Sequence, residues 1–338
     1  MSSSLHTHSN YSLLDGYSSP EENLKRASEL GLKAVAITEH GEVTSWPYYS
    51  ELKDKYPNVK LLYGIEAYEC ENREVKDKNS KYWHLIIIAK NEAGRQAVNR
   101  LSTLGHLHGF YSRPRITKED IAKEDTNNLI ILSACLASRL SRTDDYNACI
   151  KLVQEYKSLF PHYYLEVQAH ANSEQAKYNQ KIMRLANDTH TKVVVTNDVH
   201  AATKEDLYYQ DYFLRIAHDT ETAAEIYEGC YFMSREEQHR VLDSQIGYEA
   251  AEWCINNTDE VADLCDDVDM PWHEPELPKI EIPPQYSNSA AYLKDLVKEG
   301  WKKRGIDKFD AEKQKIYRKR VDDELFVIEK KDFCDYFL

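Results

Sequence analysis

Short apolar runs alternate with longer amphipathic stretches over the first 200 residues of the chain. Six of these runs have the length and composition of buried strands, at residues 33–37, 61–65, 82–89, 129–134, 163–167 and 192–196. The stretches between them predict helices at 20–30, 46–55, 92–104, 146–159 and 173–187. One more strand is expected just before His6, which gives seven strands mostly separated by helices. This alternation is typical of a parallel sheet.

The pattern changes after the last of these strands. Residues 203–265 are mainly helical in pattern, and residues 271–285 are rich in proline, as is typical of a linker. The stretches 290–304 and 310–331 have the spacing of charged amphipathic helices. We therefore predict a first domain over residues 1–270, a linker over 271–285 and a helical segment over 286–338.

Composition and charge narrow the class of protein. The chain has 338 residues, of which 42% are hydrophobic and 30% charged. No apolar run approaches the ~18 residues of a membrane helix, and the polar amino terminus leaves no room for a signal peptide. The seven cysteines include no Cys-x-x-Cys pair, which favours a reducing cytoplasm over a disulfide framework. The net charge of −14 disfavours a broad basic surface for nucleic acid, but it is compatible with a metalloenzyme.

Residue types that bind metals stand at or near the ends of the predicted strands. His6 and His8 are two positions apart on an extended segment, so their side chains point to the same side and can reach one ion. Asp198 and His200 repeat this spacing after the last strand. In a parallel barrel the carboxyl ends of all strands meet on one face, so ligands distant in sequence would converge. The other candidates are Asp15 in the first loop, His40, Glu66 and Cys135 at strand ends, and His84 near the start of its strand.

Each candidate also has a purely structural interpretation. His40 is compatible with a loop, Asp15 with a turn, Glu66 with a solvated strand end and Cys135 with a buried small residue. A lone His-x-His pair does not hold a metal. The joint placement at successive strand ends favours a metal site, and it favours a closed barrel over an open sheet. The remaining histidines are expected to be structural or surface residues: His106, His108, His162, His170, His190, His218, His239 and His273.

The motifs at these positions resemble those of the PHP (polymerase and histidinol phosphatase) domain. They are His-Thr-His-Ser at 6–9, Thr-Glu-His-Gly at 38–41, Gly-Ile-Glu at 64–66, Ser-Ala-Cys-Leu at 133–136 and Asn-Asp-Val-His at 197–200, together with His84. The stretches at 11–16, 89–92, 113–116 and 332–338 are similar to one branch, the amino-terminal region of bacterial C-family DNA polymerase III alpha subunits. The resemblance covers essentially the whole chain.

The resemblance implies an α/β fold, a distorted (β/α)7 TIM-like barrel followed by a short helical segment that leads toward a polymerase palm. It also implies a trinuclear metal centre. By analogy, one ion would be bound by His6, His8, Glu66 and Asp198, a second by Glu66, His84 and Cys135, and a third by Asp15, His40 and His200. The mixed nitrogen, oxygen and sulfur ligands suit Zn²⁺, with Mn²⁺ or Mg²⁺ as alternatives.

The implied function is a metal-dependent 3′–5′ exonuclease that removes mispaired nucleotides from a primer 3′ end. Glu66, Asp198 and His8 would be catalytic, and Arg113 and Arg115 are candidates to bind DNA phosphates. The implied partners are DNA, the palm and fingers of the alpha subunit and other replisome subunits, with no membrane. A histidinol-phosphatase-like phosphomonoesterase is the enzymatic alternative, and a metal-binding module that braces the polymerase without turnover is the non-catalytic one.

Three features depart from the family pattern. Residues 1–5 are polar where the family usually has an apolar first strand, so we expect this strand to be frayed. Glu39 stands where the motif usually has aspartate, and we expect little effect because this position is not a ligand. The chain stops at Leu338, before the palm aspartates that add nucleotides. We therefore expect a fragment, or one piece of a split polymerase, that does not polymerise alone.

Overall fold

The computed structural model describes residues 2–78, 80–218, 227–271 and 276–338. These residues divide into two compact units, Met1–Met270 and Pro271–Leu338. His273 and part of the predicted linker lie outside the described residues. The palm assignment of the second unit stays a prediction.

The first unit is built from short strands and longer helices. Its strands are β1 (Ala34–Ile37), β2 (Lys60–Glu69), β3 (Trp83–Ala89), β4 (Phe110–Tyr111), β5 (Arg113–Ile116), β6 (Leu129–Leu132), β7 (Tyr163–Gln168) and β8 (Val193–Thr196). Its helices are α1 (Pro20–Glu29), α2 (Trp46–Glu51), α3 (Glu92–Leu107), α4 (Lys118–Ala122), α5 (Tyr146–Leu159), α6 (Ser173–Thr189), α7 (Leu207–His218), α8 (Arg235–Ile246) and α9 (Tyr248–Leu264). Within the described part of the chain, no helix is both long and apolar enough to cross a membrane.

Strands β1 to β3 and β6 to β8 form the wall of a barrel. β1 pairs with β2, β6 with β7, and β7 with β8, all in parallel. β3 lies between β2 and β6 and runs antiparallel to both. β5 pairs with the far end of β2 and carries β4 on its outer side. The predicted fold class, a distorted α/β barrel, is confirmed.

The expectation that all strands are parallel is wrong for β3. A parallel connection needs a crossover, usually a helix, whereas the described residues between β2 and β3 contain only turns and bends. The antiparallel pairing places His84, near the start of β3, opposite Tyr68, near the end of β2. A residue at the amino end of its strand therefore reaches the same face as the carboxyl ends of the parallel strands.

The amino-terminal residues close the barrel. Ser4 forms a parallel bridge with Val35 of β1, and Thr7 forms one with Val199, just after β8. The backbone amide of His8 donates a hydrogen bond of 2.7 Å to the carbonyl of Val199. This extended segment fills the seventh strand position of the barrel wall. It places His6 and His8 within the ring of strands.

The prediction that the first strand is frayed is wrong. Ser2, Ser3 and Ser4 are buried because their polar groups find partners in the fold. Ser3 Oγ donates to Asp259 Oδ1 at 2.8 Å, and the hydroxyls of Ser4 and Thr7 are 2.9 Å apart. These side-chain bonds, together with the backbone bonds between Ser4 and residues 34 and 36 of β1, anchor the segment despite its polar composition.

Side chains of the wall strands alternate between two apolar clusters, as strand geometry requires. Odd-numbered residues of the wall strands pack with the surrounding helices. Even-numbered residues fill the barrel interior with Leu5: Ala34, Ala36, Leu62, Ile86, Ile88, Ile130, Leu132 and Val194. Glu66, His84 and Glu166 also occupy even-numbered positions of β2, β3 and β7, so they continue the interior face at the mouth of the barrel.

The second unit is helical. It contains α10 (Ser289–Lys303), α11 (Ala311–Lys330) and α12 (Cys334–Phe337). Lys294 of α10 pairs with Glu329 of α11 at 2.5 Å, and the Ser289 hydroxyl donates to the Asp335 carboxylate of α12. These contacts hold the three helices together.

We predict that Leu5→Ala destabilises the first unit, because the Leu5 side chain is fully buried in the interior cluster. The free energy of unfolding should fall by about 2–5 kcal/mol. Leu13→Ala is the matched control, since Leu13 is 84% exposed and its truncation should cost less than about 0.5 kcal/mol. Urea unfolding followed by circular dichroism measures both variants. Equal unfolding midpoints would contradict the closing role of the amino-terminal segment.

Candidate metal centre

The nine predicted ligands lie together at the mouth of the barrel, each within 4 Å of another member. The closing segment supplies two, and the loops after β1, β6 and β8 supply four. β2, β3 and the first loop supply the rest. The set is His6, His8, Asp15, His40, Glu66, His84, Cys135, Asp198 and His200.

Glu66 occupies the middle of this cluster and is fully buried. Its Oε2 atom is 2.6 Å from His40 Nδ1 and 3.6 Å from His8 Nε2. Its Oε1 atom is 2.8 Å from His84 Nδ1 and 3.2 Å from His6 Nε2. One carboxylate therefore faces four imidazoles, an arrangement that can bridge two cations.

Asp198 links the two pairs predicted from their period-two spacing, His6 with His8 and Asp198 with His200. Its Oδ1 atom is 3.1 Å from His6 Nε2, 3.4 Å from His8 Nε2 and 3.5 Å from His200 Nδ1. The rings of His6 and His8 lie on the same side of their segment, with centroids 5.2 Å apart. The period-two spacing thus delivers both rings to one carboxylate.

Asp15 and Cys135 flank the cluster on two sides. Asp15 Oδ2 is 2.7 Å from His40 Nε2 and 3.5 Å from His200 Nε2. Cys135 Sγ is 3.5 Å from His84 Nδ1 and 3.8 Å from Glu66 Oε1. Among the described residues, the donor atoms of three trios come within 4.8 Å of one another: His6, His8 and Asp198; His40, Glu66 and His84; and His8, His40 and His200.

The cluster contains buried polar atoms that make no hydrogen bond of suitable geometry, even where another ligand atom lies close by. Unpaired buried polar groups are rare in folded proteins, because each costs free energy. Seven such atoms lie together in the cluster and belong to residue types that bind metals, which is the fit expected for a site that holds cations. The atoms are His6 Nε2, His8 Nε2, Asp15 Oδ1, His40 Nδ1, Glu66 Oε2, Asp198 Oδ1 and His200 Nε2.

The buried carboxylates of the cluster need positive charge nearby, as the pKa values of its side chains indicate. Burial alone would raise the pKa of Glu66, but the charges of His84, His6 and His40 hold it well below its usual value. Burial alone would lower the pKa of His200, but the Asp15 carboxylate raises it to about 10. The pKa values of His6 and His40 are raised in the same way by nearby carboxylates. Without cations, protons on these imidazoles neutralise the buried carboxylates.

His8 and Cys135 respond differently to the same surroundings. Burial, together with the charges of His40 and His200, lowers the pKa of His8 to about 3, so its imidazole is neutral. Burial and the charges of Asp198 and Glu66 raise the pKa of the Cys135 thiol well above its usual value. A neutral imidazole is ready to act as a ligand, whereas this thiol needs a cation nearby to lose its proton.

The backbone around the cluster is strained at three positions. Leu14, Ala134 and Asp198 adopt left-handed conformations, with φ of 62°, 63° and 51°. Residues with a Cβ atom rarely adopt this region, and strain of this kind concentrates at functional sites. Leu14 precedes Asp15 and Ala134 precedes Cys135, so each strained residue is a ligand or directly precedes one.

Glu166 supports the cluster and was not singled out from the sequence. It is fully buried on β7, and its Oε1 atom is 2.9 Å from His6 Nδ1. Thr196 Oγ1 also donates to this oxygen at 2.6 Å. A carboxylate accepts from His6 Nδ1, which turns His6 Nε2 toward the centre. The sequence feature that could have identified Glu166 is the presence of a charged residue inside the otherwise apolar run 163–167.

Glu39 has a larger structural role than the sequence indicates. It is fully buried and accepts hydrogen bonds from the Ser9 amide at 3.0 Å and from Ser12 Oγ at 2.6 Å. Because the Ser12 hydroxyl donates to Glu39, its oxygen accepts from His8 Nδ1 at 3.0 Å. This fixes the tautomer of His8 and leaves its Nε2 free for a cation.

The two arginines of β5 differ in exposure and in the partners of their guanidinium groups. Arg113 is exposed, and its guanidinium carbon lies 5.5 Å from the centre of the Tyr68 ring, beside the cluster. Arg115 is fully buried and donates to the carbonyls of Gly109 and Val75 at 3.1 and 2.9 Å. The prediction that Arg115 binds DNA phosphate is wrong, because its donors are used inside the fold.

A cavity of about 130 Å³ opens directly over the ligands. Asp198, but neither Glu66 nor His8, is among the residues that line it. Arg142, His170 and Tyr227 also line it, and no sequence signal pointed to Tyr227. His170, expected to be structural, is buried with Nε2 2.8 Å from the Asn197 carbonyl. The cavity therefore adjoins the candidate metal positions.

The PHP domain family matches residues 4–170 of the chain. Residues 4–170 are a PHP domain. The match includes the ligands from His6 to Cys135, whereas Asp198 and His200 follow its end. The structure joins both groups of ligands in one cluster, so the barrel extends beyond the matched residues.

Over nearly its whole length the chain is similar to DNA polymerase III alpha subunits. It is 33% identical over 352 residues to that of Treponema pallidum, covering 99% of this chain and 28% of the relative. It is 29% identical over 348 residues to that of Borreliella burgdorferi, covering 99% and 29%. A solved amidohydrolase from Chromobacterium violaceum is similar at a TM-score of 0.43 and 13% identity, over 60% of this chain and 88% of that one. The chain spans less than a third of the length of these polymerase relatives.

We predict that metal binding to the PHP domain releases protons and strengthens as the pH rises from 6 to 8. The raised pKa values of His6, His40 and His200 mean that protons occupy these imidazoles before a cation displaces them. Calorimetric titration with Zn²⁺ in buffers of different ionisation enthalpy measures the number of protons released. Glu166→Gln should release fewer, because the Glu166 charge helps to raise the pKa of His6. A proton count of zero in the wild type would contradict this account.

Proposed function

We propose that this chain acts as a metal-dependent 3′–5′ DNA exonuclease that removes mispaired nucleotides from a primer 3′ end. The observation that carries the proposal is the convergence of nine ligand-competent side chains at the mouth of the barrel, seven of which have an unpartnered buried atom. The similarity to DNA polymerase III alpha subunits supplies the nucleic-acid context. The PHP match supports a phosphoester substrate.

We assign the ligands to three metal positions. His6, His8, Glu66 and Asp198 would hold the first ion, and Glu66 would bridge to a second that His84 and Cys135 also bind. Asp15, His40 and His200 would hold the third. Within each set, nearest partners are no more than 3.8 Å apart, so each set can reach one ion, and the division itself follows the resemblance to PHP domains. Zn²⁺ and Mn²⁺ are the proposed metals, with Mg²⁺ as an alternative, since the donors mix nitrogen, oxygen and sulfur.

The chain contributes orientation and proton transfer. Glu66 and His8 are fully buried and would act by fixing the positions of the cations. Asp198 lines the cavity over the ligands, so it is the proposed acceptor of the proton from the attacking water. Metals bound there would lower the pKa of water and hold the phosphate oxygens during in-line attack. Arg113, exposed beside the centre, is the proposed contact for a DNA phosphate.

The wider context of the reaction is also a proposal. The partners would be the DNA primer end, the palm and fingers of an alpha subunit and other replisome subunits, in the cytoplasm. The second unit, residues 271–338, would begin the palm region. Its helix α11 has no buried residue and carries exposed Ile316 and Phe326, which are available to pack against further polymerase structure.

We predict that the metallated chain shortens a 5′-labelled, 3′-mismatched primer annealed to a template. Asp198→Asn should reduce this rate by about a hundredfold or more, because it removes a ligand and the proposed proton acceptor. Asp54→Asn is the matched control, since Asp54 is exposed on the 3-10 turn Lys53–Lys55. Denaturing electrophoresis of time points, with added Zn²⁺ or Mn²⁺, measures the products.

Two results would contradict the proposal. Wild-type protein of confirmed metal content that leaves the primer intact would refute exonuclease activity in this chain. Equal rates for Asp198→Asn and Asp54→Asn would place the activity elsewhere. Hydrolysis of p-nitrophenyl phosphate without loss of primer would instead support a phosphomonoesterase, and inactivity on both substrates would support a bracing role.

A further inference from the structure

A groove of about 370 Å³ runs beside the metal centre. It shares Asp15, His40 and His84 with the cavity over the ligands, so the two spaces adjoin at these three side chains. Its volume lies in the range of sites that take one small ligand or a few linked groups. The groove therefore lies directly next to the metal centre.

The rim of the groove exposes large apolar side chains. Phe110 is 50% exposed and Tyr82 is 39% exposed, and both line the groove. Leu13 and Leu14, on the strained loop that carries Asp15, are 84% and 45% exposed. Contiguous exposed apolar groups beside a polar centre mark a binding surface.

The rings of the groove are held in place by neighbouring rings. Tyr82 contacts Tyr68 edge-on with centroids 5.2 Å apart, and Tyr68 contacts His84 edge-on at 5.3 Å. Phe110 stacks on His106 at 6.3 Å with an interplanar angle of 25°. Tyr82 and Tyr68 thus form a row of rings from the metal ligand His84 to the rim, and Phe110 has its own ring partner in His106.

The groove also contains a cation suited to a phosphate. Arg113 lies on β5, in the hairpin that carries Phe110 on β4, and it is exposed beside the Tyr68 ring. The Glu42 carboxylate lines the groove as well, but it accepts hydrogen bonds from the amide and hydroxyl of Thr44. Aromatic faces next to an arginine are the combination that binds single-stranded nucleic acid.

We infer that this groove binds the unpaired bases of a single-stranded DNA 3′ end, with Tyr82 and Phe110 as stacking surfaces and Arg113 on a phosphate. The inference rests on the proposed function of the metal centre and specifies the form of DNA that reaches it. Stacking between protein rings along a strand needs successive bases whose faces are free, and a paired duplex exposes a face only on its terminal base pair. A frayed, mispaired end would enter the groove, and a paired end would not.

The test is equilibrium binding of a fluorescein-labelled oligothymidylate, measured by anisotropy with Zn²⁺ or Mn²⁺ present. Phosphorothioate at the 3′-terminal linkages keeps the bound strand intact. Tyr82→Ala and Phe110→Ala should each weaken binding by about fivefold to a hundredfold, the range for loss of one stacked base. Tyr82→Phe, which keeps the ring, should bind like the wild type.

Trp253→Ala is the matched control, because Trp253 is a 41% exposed aromatic on α9 and does not line the groove. It should leave the affinity unchanged. The inference is overturned if the wild type does not bind the oligothymidylate. It is also overturned if Tyr82→Ala and Phe110→Ala bind it as tightly as the wild type does. Binding of a blunt duplex as tight as that of the single strand would overturn it too.

A second substrate separates this inference from the proposed function. Bis(p-nitrophenyl) phosphate carries no base and reports on the metal centre itself. If wild-type protein does not hydrolyse it or shorten primers, yet binds single strands through Tyr82 and Phe110, the exonuclease proposal fails and the groove stands. If hydrolysis is intact but the alanine variants bind single strands normally, the groove assignment fails and the exonuclease proposal stands.

Discussion

The burial of the Glu66 carboxylate among four imidazoles is the interaction on which the rest of the structure depends. Burying an isolated carboxylate costs on the order of tens of kcal/mol, so the group must be compensated by positive charge. The interior below it is filled by apolar side chains such as Ile86, Ile88 and Leu132, which offer no such compensation. Within the described part of the chain, the side chains that bring positive charge to Glu66 are the four histidines around it, either protonated or bound to cations. The unpartnered atoms of His6, His8 and Asp198 favour cations.

Two irregularities of the barrel bring these partners to Glu66. The amino-terminal segment closes the ring between β1 and the residues after β8, and this delivers His6 and His8. The reversed strand β3 delivers His84 from the amino end of a strand to the face where the parallel strands end. Behind them, Glu166 and Ser12 each hold one ring nitrogen, so that the other nitrogen points inward. The chain thus fixes the orientation of its imidazoles before any cation arrives.

The elements of this fold were largely predictable, because buried strands and amphipathic helices leave periodic patterns; the predicted helix 146–159 has the same bounds as α5. The grouping of the ligands was also predictable, because residue types that bind metals stand at the ends of successive apolar runs, and strand ends meet on one face of a barrel. The direction of β3 was not, because a hydrophobic run carries no sign of its polarity. Arg115 was misassigned because its neighbours in sequence resemble a surface loop, whereas its burial depends on carbonyls that only the folded chain brings near. Glu166 lies within an apolar strand, where a charged residue is unusual and could have been recognised. It was not predicted because it lies outside the motifs that resemble the PHP family.

The most direct test of the central claim is the metal content of the folded chain. The protein would be loaded with Zn²⁺ or Mn²⁺, freed of excess metal by gel filtration and analysed by mass spectrometry of the elements, beside Glu66→Gln. The account predicts more than one ion per wild-type chain and a marked loss in Glu66→Gln, because Glu66 faces the donors of two neighbouring positions. A folded wild-type chain that retains no metal would contradict it.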